Sequence, residues 1–255
     1  MSDQAYYSNG FSKVISDTHA WRNVENYVPY IIPYLNKSQK LLDVGCGPGT
    51  ISKDLGNYVA EVIGIEPTAE LIELSKAQDN LPENVHFQKG SAYEIPFEDN
   101  SFDVIHASQV IVHLEDPVKA LREMLRVCKK DGYVCVKDGD LASTVIYPEK
   151  YAEIMLNAIS HRPTTSMVGG RSLKEKALKA GYLPDKITMS GKVQYLSSAQ
   201  EKKKRYDMML PRMLQSYEVT EHKYDKKTVL DTIEKWINDD AGVLISVSGE
   251  LVYRK

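Results

Sequence analysis

The sequence predicts an α/β fold in which strands alternate with helices, and three observations carry that expectation. In the stretch Leu41-Leu42-Asp43-Val44-Gly45-Cys46-Gly47-Pro48-Gly49-Thr50, apolar residues lead into glycines at alternate positions. This is the pattern of a buried strand ending in a turn whose backbone must approach something closely. Residues 50–55 can then start a helix, completing the strand, glycine loop and helix of a nucleotide site. Residues 61–65 read as a second strand that ends at Glu66, about 20 residues beyond the loop, where a carboxylate can accept both hydroxyls of a ribose.

The glycine spacing narrows the ligand. A dinucleotide fingerprint is G-x-G-x-x-G, whereas here the third glycine comes one place early, at Gly49, and Thr50 stands where the fingerprint would put it. The loop suits an adenosine-type ligand without a pyrophosphate. Asp43-x-Gly45-x-Gly47-x-Gly49 followed by Glu66 resembles the S-adenosylmethionine site of class I methyltransferases; without Glu66 an ordinary glycine-rich turn would stay open as the alternative. The resemblance implies a Rossmann-like methyltransferase fold: a mostly parallel seven-stranded sheet with one antiparallel strand, helices on both faces, and a helical insertion before the last strand. It also implies S-adenosylmethionine as cofactor, held by Asp43, Gly45, Cys46, Gly47, Gly49, Thr50 and Glu66, with Ser91, Ala92, Ser108 and Gln109 completing the site.

Composition sets wide bounds. The 255 residues are 42% hydrophobic and 26% charged, ordinary globular values for a chain long enough to bury a sizeable core. A net charge of -3 argues against a mainly electrostatic nucleic-acid binder, though not against a local basic groove. Cys46, Cys128 and Cys135 form no C-x-x-C pair and are odd in number, which suggests neither a zinc site nor a disulfide framework. No run of apolar residues reaches membrane length and no signal peptide is evident, so the expectation is a soluble cytoplasmic protein.

Taken in order, residues 1–36 form a leading segment. Trp21, Val24, Val28, Ile31, Ile32 and Leu35 recur at helical spacing, with Pro29 and Pro33 kinking or ending the helix. The resemblance makes this segment a lid over the cofactor, while the aliphatic stripe itself reads rather as core. His19, Trp21 and Arg22 are candidate lid or substrate contacts, since a His, an aromatic and an Arg together can face a carboxylate or a substrate. After the second strand Thr68 can cap a helix carrying Leu71, Ile72 and Leu74. Residues 85–88 read as strand three. In the family the loop after it usually supplies an acid to the adenine; Ser91 stands there instead, leaving its hydroxyl, the Ala92 amide or stacking to hold the base.

Residues 101–108 read as strand four, preceded by a turn at 95–100, and residues 109–117 lie past its carboxyl end, where open sheets place ligands. Pro117 suits the first turn of a helix bearing Val118, Leu121, Leu125 and Val127. Residues 129–132 stop that helix before strand five at 133–138. Residues 141–159 and Gly169-Gly170 then intervene before a helix at 173–180. Strands at 186–195 and 243–253 form the closing hairpin, interrupted by a helical insertion at 198–240 whose Met208, Met209, Leu210, Met213 and Leu214 cover either a pocket or core. The basic run 201–205 reads as a solvated helix face. With no repeat or low-complexity linker, the chain reads as a single domain.

Methyl transfer from a sulfonium is an in-line displacement of an already activated group, so orientation and desolvation dominate and a base is needed only where a proton must leave. His113 is the first candidate base, because imidazole titrates near neutrality; it reads equally as a loop histidine capping backbone groups. Asp138 is the second, with Asp140 and His19 also near the ligand edge. No His, Cys and Asp cluster has metal-ligand spacing, so no metal is expected. The alternatives are a dinucleotide-dependent oxidoreductase, which lacks both the fingerprint spacing and a Tyr-x-x-x-Lys pair, and a non-catalytic S-adenosylmethionine-binding module, which a substrate-sized cavity would argue against. The resemblance is nearest to the branch that methylates small molecules such as quinones (ubiquinone and menaquinone biosynthesis), sterols and secondary metabolites. It implies a small-molecule methyl acceptor and no nucleic-acid partner.

Overall fold

Leu41, Leu42 and Val44 are fully buried because β1 (Lys40–Val44) lies inside the sheet, with a parallel neighbour on each side. A strand covered on both faces must be apolar on both. The structure, a computed structural model, describes residues 21–160, 165–219 and 221–255; His19 and most of the expected lid lie outside the described residues. The other strands are β2 (Glu61–Glu66), β3 (Val85–Lys89), β4 (Phe102–Ser108), β5 (Cys128–Tyr147), β6 (Ile187–Leu196) and β7 (Val243–Arg254). They form one sheet in the order β3-β2-β1-β4-β5-β7-β6, mixed in direction, with β7 antiparallel to both its neighbours. The chain steps outward from β1 to β3 and then crosses back to β4. The carboxyl ends of β1 and β4 therefore flank the crevice where such sheets take ligands.

The described helices are α1 (Val24–Tyr27), α2 (Thr50–Leu55), α3 (Ala69–Lys76), α4 (Pro117–Val127), α5 (Glu149–Ser160), α6 (Leu173–Lys179), α7 (Ala199–Val219) and α8 (Lys226–Ile237). Successive strand residues face opposite sides, and the two faces have separate cores. Leu41, Val62 and Val104 share one with Val24, Leu55 and Ile72 of α1 to α3. Leu42, Ile63 and Ile105 share the other with Leu121 and Met124 of α4 and Ala177 of α6. Val24, Val28 and Ile31, the described part of the leading aliphatic stripe, are thus core. Its prolines end α1 and continue it as a tighter turn, Pro29–Tyr34.

Three local expectations need correction. Strand five does not stop at Asp138. It continues to Tyr147, because β7 is twelve residues long and goes on pairing with it beyond a register shift between Asp140 and Val145. Residues 149–160, within the stretch between strand five and Gly169-Gly170, form a helix, α5. Thr68 stands at the N-cap of α3 but its side chain makes no capping bond, whereas Asp116 caps α4 by accepting from the Lys119 amide at 2.9 Å. Between β6 and β7 lie α7 and α8, which with α5 enclose a third core where Met155, Val229, Ile233 and Trp236 meet Ile146, Leu196 and Leu244 from the strand ends.

Candidate active site

The glycine loop bends sharply at the carboxyl end of β1. The amides of Gly45 and Cys46 both donate to the Ile65 carbonyl, at 2.8 and 3.1 Å, which ties the loop to β2. Gly45 has φ of 69°, and a Cβ there would sit 2.5 Å from Val110 Cγ2. Gly47 has φ of 55°, yet a Cβ there would meet nothing within 4 Å. Its bare backbone faces open space, a cavity of 170 Å³ whose walls include Asp43, Gly45, Cys46, Gly47, Thr50, Glu66, Ala92, Ser108 and Gln109.

Glu66 is 6% exposed and ends β2 on the cavity wall. Its carboxylate accepts from the Gly47 amide at 3.3 Å and the Thr68 amide at 3.2 Å. Burial raises its pKa, and those same bonds oppose the rise. Asp43, 3% exposed, has both oxygens engaged: one accepts from Ser52 Oγ of α2 at 2.5 Å, and the other lies 2.7 Å from His106 Nδ1 of β4. It pins loop, helix and neighbouring strand together. Burial also pushes the Cys46 thiol well up. Ser108 Oγ and His106 Nε2 are buried, without a hydrogen-bond partner among the described residues, and both residues line the cavity.

His106 was missed as a site residue. Its signal was a histidine inside an otherwise apolar strand, but only the β1–β4 register, which sets Asp43 beside His106, makes the pair.

The remaining predicted residues divide. Ala92 lines the cavity. Ser91 does not; its hydroxyl accepts from the Tyr93 amide at 3.0 Å within its own turn. Gln109 adopts φ of 59° and donates from its amide to the Lys137 carbonyl at 2.8 Å. His113 closes the short turn Ile111–His113 on the cavity wall, its Nδ1 3.0 Å from Thr165 Oγ1. Asp138 is fully buried and absent from the cavity wall, so it is not placed to touch an acceptor. Burial pushes its carboxyl up to about 8; Lys176 and the nearby Val110 and Val112 amides, which fall outside hydrogen-bond geometry, only partly offset this. Asp140 is held by Arg171, at 2.6 Å from its Nη2 and 2.9 Å from its Nε. Trp21 packs edge-on against Tyr27 with centroids 5.7 Å apart, and the Arg22 guanidinium lies 4.3 Å from the same ring.

Comparison with known proteins decides the family. The model of a methyltransferase domain matches residues 42–136. An uncharacterized methyltransferase of Schizosaccharomyces pombe is 37% identical over 274 aligned residues that span 100% of this chain and 98% of that protein. The chain belongs to the methyltransferase family. It is an S-adenosylmethionine-dependent enzyme, and membership sets aside both the oxidoreductase and the non-catalytic alternatives.

The demethylmenaquinone methyltransferase of Staphylococcus aureus is 35% identical over 46% of this chain and 50% of its own length. The crystal structure of YcgJ from Bacillus subtilis superposes with a TM-score of 0.55 at 21% identity, covering 89% of this methyltransferase and 97% of that chain. A Haemonchus contortus phosphoethanolamine N-methyltransferase 2, solved with phosphomonomethylethanolamine and S-adenosylhomocysteine, superposes with a TM-score of 0.59 at 15% identity over 100% of this chain and 61% of that one. These two likenesses show the fold. The cavity of this methyltransferase fits the cofactor: bare backbone at Gly47, a buried carboxylate at Glu66 and an unpartnered hydroxyl at Ser108 surround one space. No described helix is long and apolar enough to cross a membrane, and among the described residues no three His, Cys, Asp or Glu could hold a metal ion.

Proposed function

We propose that the enzyme methylates a small molecule bound in a second chamber beside the cofactor cavity. The observation that carries this reading is a shared wall. A chamber of 360 Å³ adjoins the cofactor cavity, and Arg22, Gln109, Gly139 and Leu141 line both. A space of that size suits a metabolite.

Glu66 would accept from the ribose hydroxyls, the backbone of Gly45, Cys46, Gly47, Gly49 and Thr50 together with Ala92, Ser108 and Gln109 would hold the rest of the cofactor, and Asp43 keeps that loop in shape. Bound S-adenosylmethionine supplies a methyl group on a cationic sulfur: the acceptor's lone pair forms the new bond while the electrons of the carbon–sulfur bond stay on sulfur. The protein's contribution is to align that lone pair and exclude water. Where the acceptor atom carries a proton, His113 takes it, held in place by Thr165. Helix α7 of the insertion at 198–240 and the segment carrying Trp21 and Arg22 contribute to the chamber walls, which supports reading them as roof and lid of the acceptor site.

Two measurements test this. Tritium from labelled cofactor should enter metabolites of an extract rather than its protein or nucleic acid. Both His113→Asn and His113→Ala should lose turnover by about 100-fold or more, beyond any change in cofactor affinity, if His113 is the base. Near-normal turnover in His113→Asn would make it a positioning residue instead.

A further inference from the structure

β4 carries a histidine where packing alone needs none. Val104, His106 and Ser108 share one face of that strand. Val104 packs into the core on that side, while His106 and Ser108, nearer the carboxyl end, line the cofactor cavity. His106 is fully buried. Its Nδ1 lies 2.7 Å from one Asp43 oxygen, and the other accepts from Ser52 of α2. A histidine that served merely to tie β4 to β1 would keep its second nitrogen in water or on a partner, because a buried polar atom left unpaired carries its full desolvation penalty. Nε2 has neither: among the described residues it is buried and unpartnered, as is Ser108 Oγ two residues on. Two such atoms on the wall of one cavity mark the place of a polar ligand group.

The bond to Asp43 decides what that group must offer. With the ring neutral and its proton on Nδ1, facing the carboxylate, Nε2 presents a lone pair to a donor. Charge narrows the choice, since among the described residues the one ionisable partner of buried Asp43 is His106 itself. A cationic donor at Nε2 would balance that carboxylate through the ring. Of the two ends of S-adenosylmethionine, adenine offers no cation and the amino-acid end offers an α-ammonium. Distance agrees. Gly64 of β2, Asp43 and His106 stand in one row across three strands, and with strands about 4.8 Å apart His106 lies about 10 Å from β2, whose end carries Glu66. With the ribose at Glu66, the amino-acid end of the extended cofactor can reach β4.

We propose that His106 Nε2 accepts a hydrogen bond from the α-ammonium of S-adenosylmethionine, with Asp43 behind the ring as counter-charge. His106 is then a cofactor-binding residue, whatever the methyl acceptor.

Calorimetry on the full chain without an acceptor tests this. The ligands are S-adenosylhomocysteine, its deaminated analogue with hydrogen in place of the α-amino group, and its decarboxylated analogue with hydrogen in place of the carboxylate. In His106→Asn the amide nitrogen takes the place of Nδ1, which keeps a donor to Asp43 and removes Nε2. S-adenosylhomocysteine and the decarboxylated analogue should each bind this variant about tenfold or more weakly than the parent, the scale of a hydrogen bond to a charged group. The deaminated analogue should bind both proteins alike. Equal weakening of all three ligands would make His106 a structural residue. Weakening of the deaminated but not the decarboxylated analogue would place the carboxylate at Nε2, and unchanged affinity for S-adenosylhomocysteine would remove His106 from the site; each of these overturns the proposal. If His106→Asn does not fold, the parent protein answers by nitrogen NMR: the His106 Nε2 resonance should move more with the decarboxylated analogue than with the deaminated one, and an equal response to both overturns the proposal.

Discussion

Two buried carboxylates sit near the crevice with opposite consequences. Glu66 lies on the cavity wall, and among the described residues its oxygens accept two long amide bonds, which leaves acceptor capacity toward the cavity. Glu66→Ala should weaken S-adenosylhomocysteine binding by about tenfold or more, as expected for loss of charge-assisted bonds worth about 1.5–3 kcal/mol each before water compensates; calorimetry with an unchanged affinity would remove Glu66 from the site. Asp138 lies under the loop and keeps its proton up to about 8, against 3.8 when exposed. Between those values the folded state binds more protons than the unfolded one, so this group's contribution to stability falls as pH rises, from no cost below the window to the full cost above it. Asp138→Asn removes the titration, so its melting temperature should fall less across that window than the parent's. Turnover should survive, because the side chain is off the cavity wall; a loss of about 100-fold or more would instead mark Asp138 as a proton acceptor.

At the scale of an element, the glycine loop separates folding from binding. Gly47 and Gly49 both have positive φ, 55° and 80°, so alanine at either costs about 1–2 kcal/mol of backbone strain. They differ in surroundings. A Cβ on Gly49 would meet Phe87 Cζ at 2.6 Å and Gln78 Nε2 at 2.7 Å, inside the packing between loop, α3 and β3, while a Cβ on Gly47 would enter open space. Gly49→Ala should therefore lower the melting temperature of the ligand-free protein more than Gly47→Ala does. Gly47→Ala should lose cofactor affinity beyond its loss of stability. Equal melting temperatures would mean that Phe87 and Gln78 yield without cost.

At the scale of the whole molecule, the third core is a unit apart from the two that flank the sheet centre. Trp236 anchors it: the ring is 2% exposed, its Nε1 donates to the Tyr147 carbonyl at 3.0 Å, and Lys202 bonds the carbonyls of Trp236 and Asp239 at 3.3 and 2.7 Å. Trp236→Ala should cost about 3–5 kcal/mol, the usual range for emptying a large aromatic site, and should raise hydrogen exchange in α7 and α8 before it does so in β1 and β2. Cofactor affinity well below the melting temperature should stay near the parent's, because none of these residues touches the cofactor cavity. Exchange rising equally in β1 would make the molecule one cooperative unit.

What the sequence determined by itself is local. A buried strand, a left-handed glycine loop and an acid at the end of the next strand are set by neighbours along the chain, so Gly45, Gly47 and Glu66 were legible as residues that meet around one cavity, and the apolar periods of β1 to β4 as a sheet. Tertiary structure decided what depends on register and on contacts between distant segments. His106 meets Asp43 only because β4 pairs with β1 in one register. Strand five runs to Tyr147 only because β7 is there to pair with it. Ser91 turns its hydroxyl to its own backbone, and Asp138, adjacent in sequence to the ligand edge, is covered by the loop after β4. The chamber joins residues from before α1, β6 and α7; no spacing along the chain encodes that convergence, because it forms only when the sheet brings those three segments to one edge.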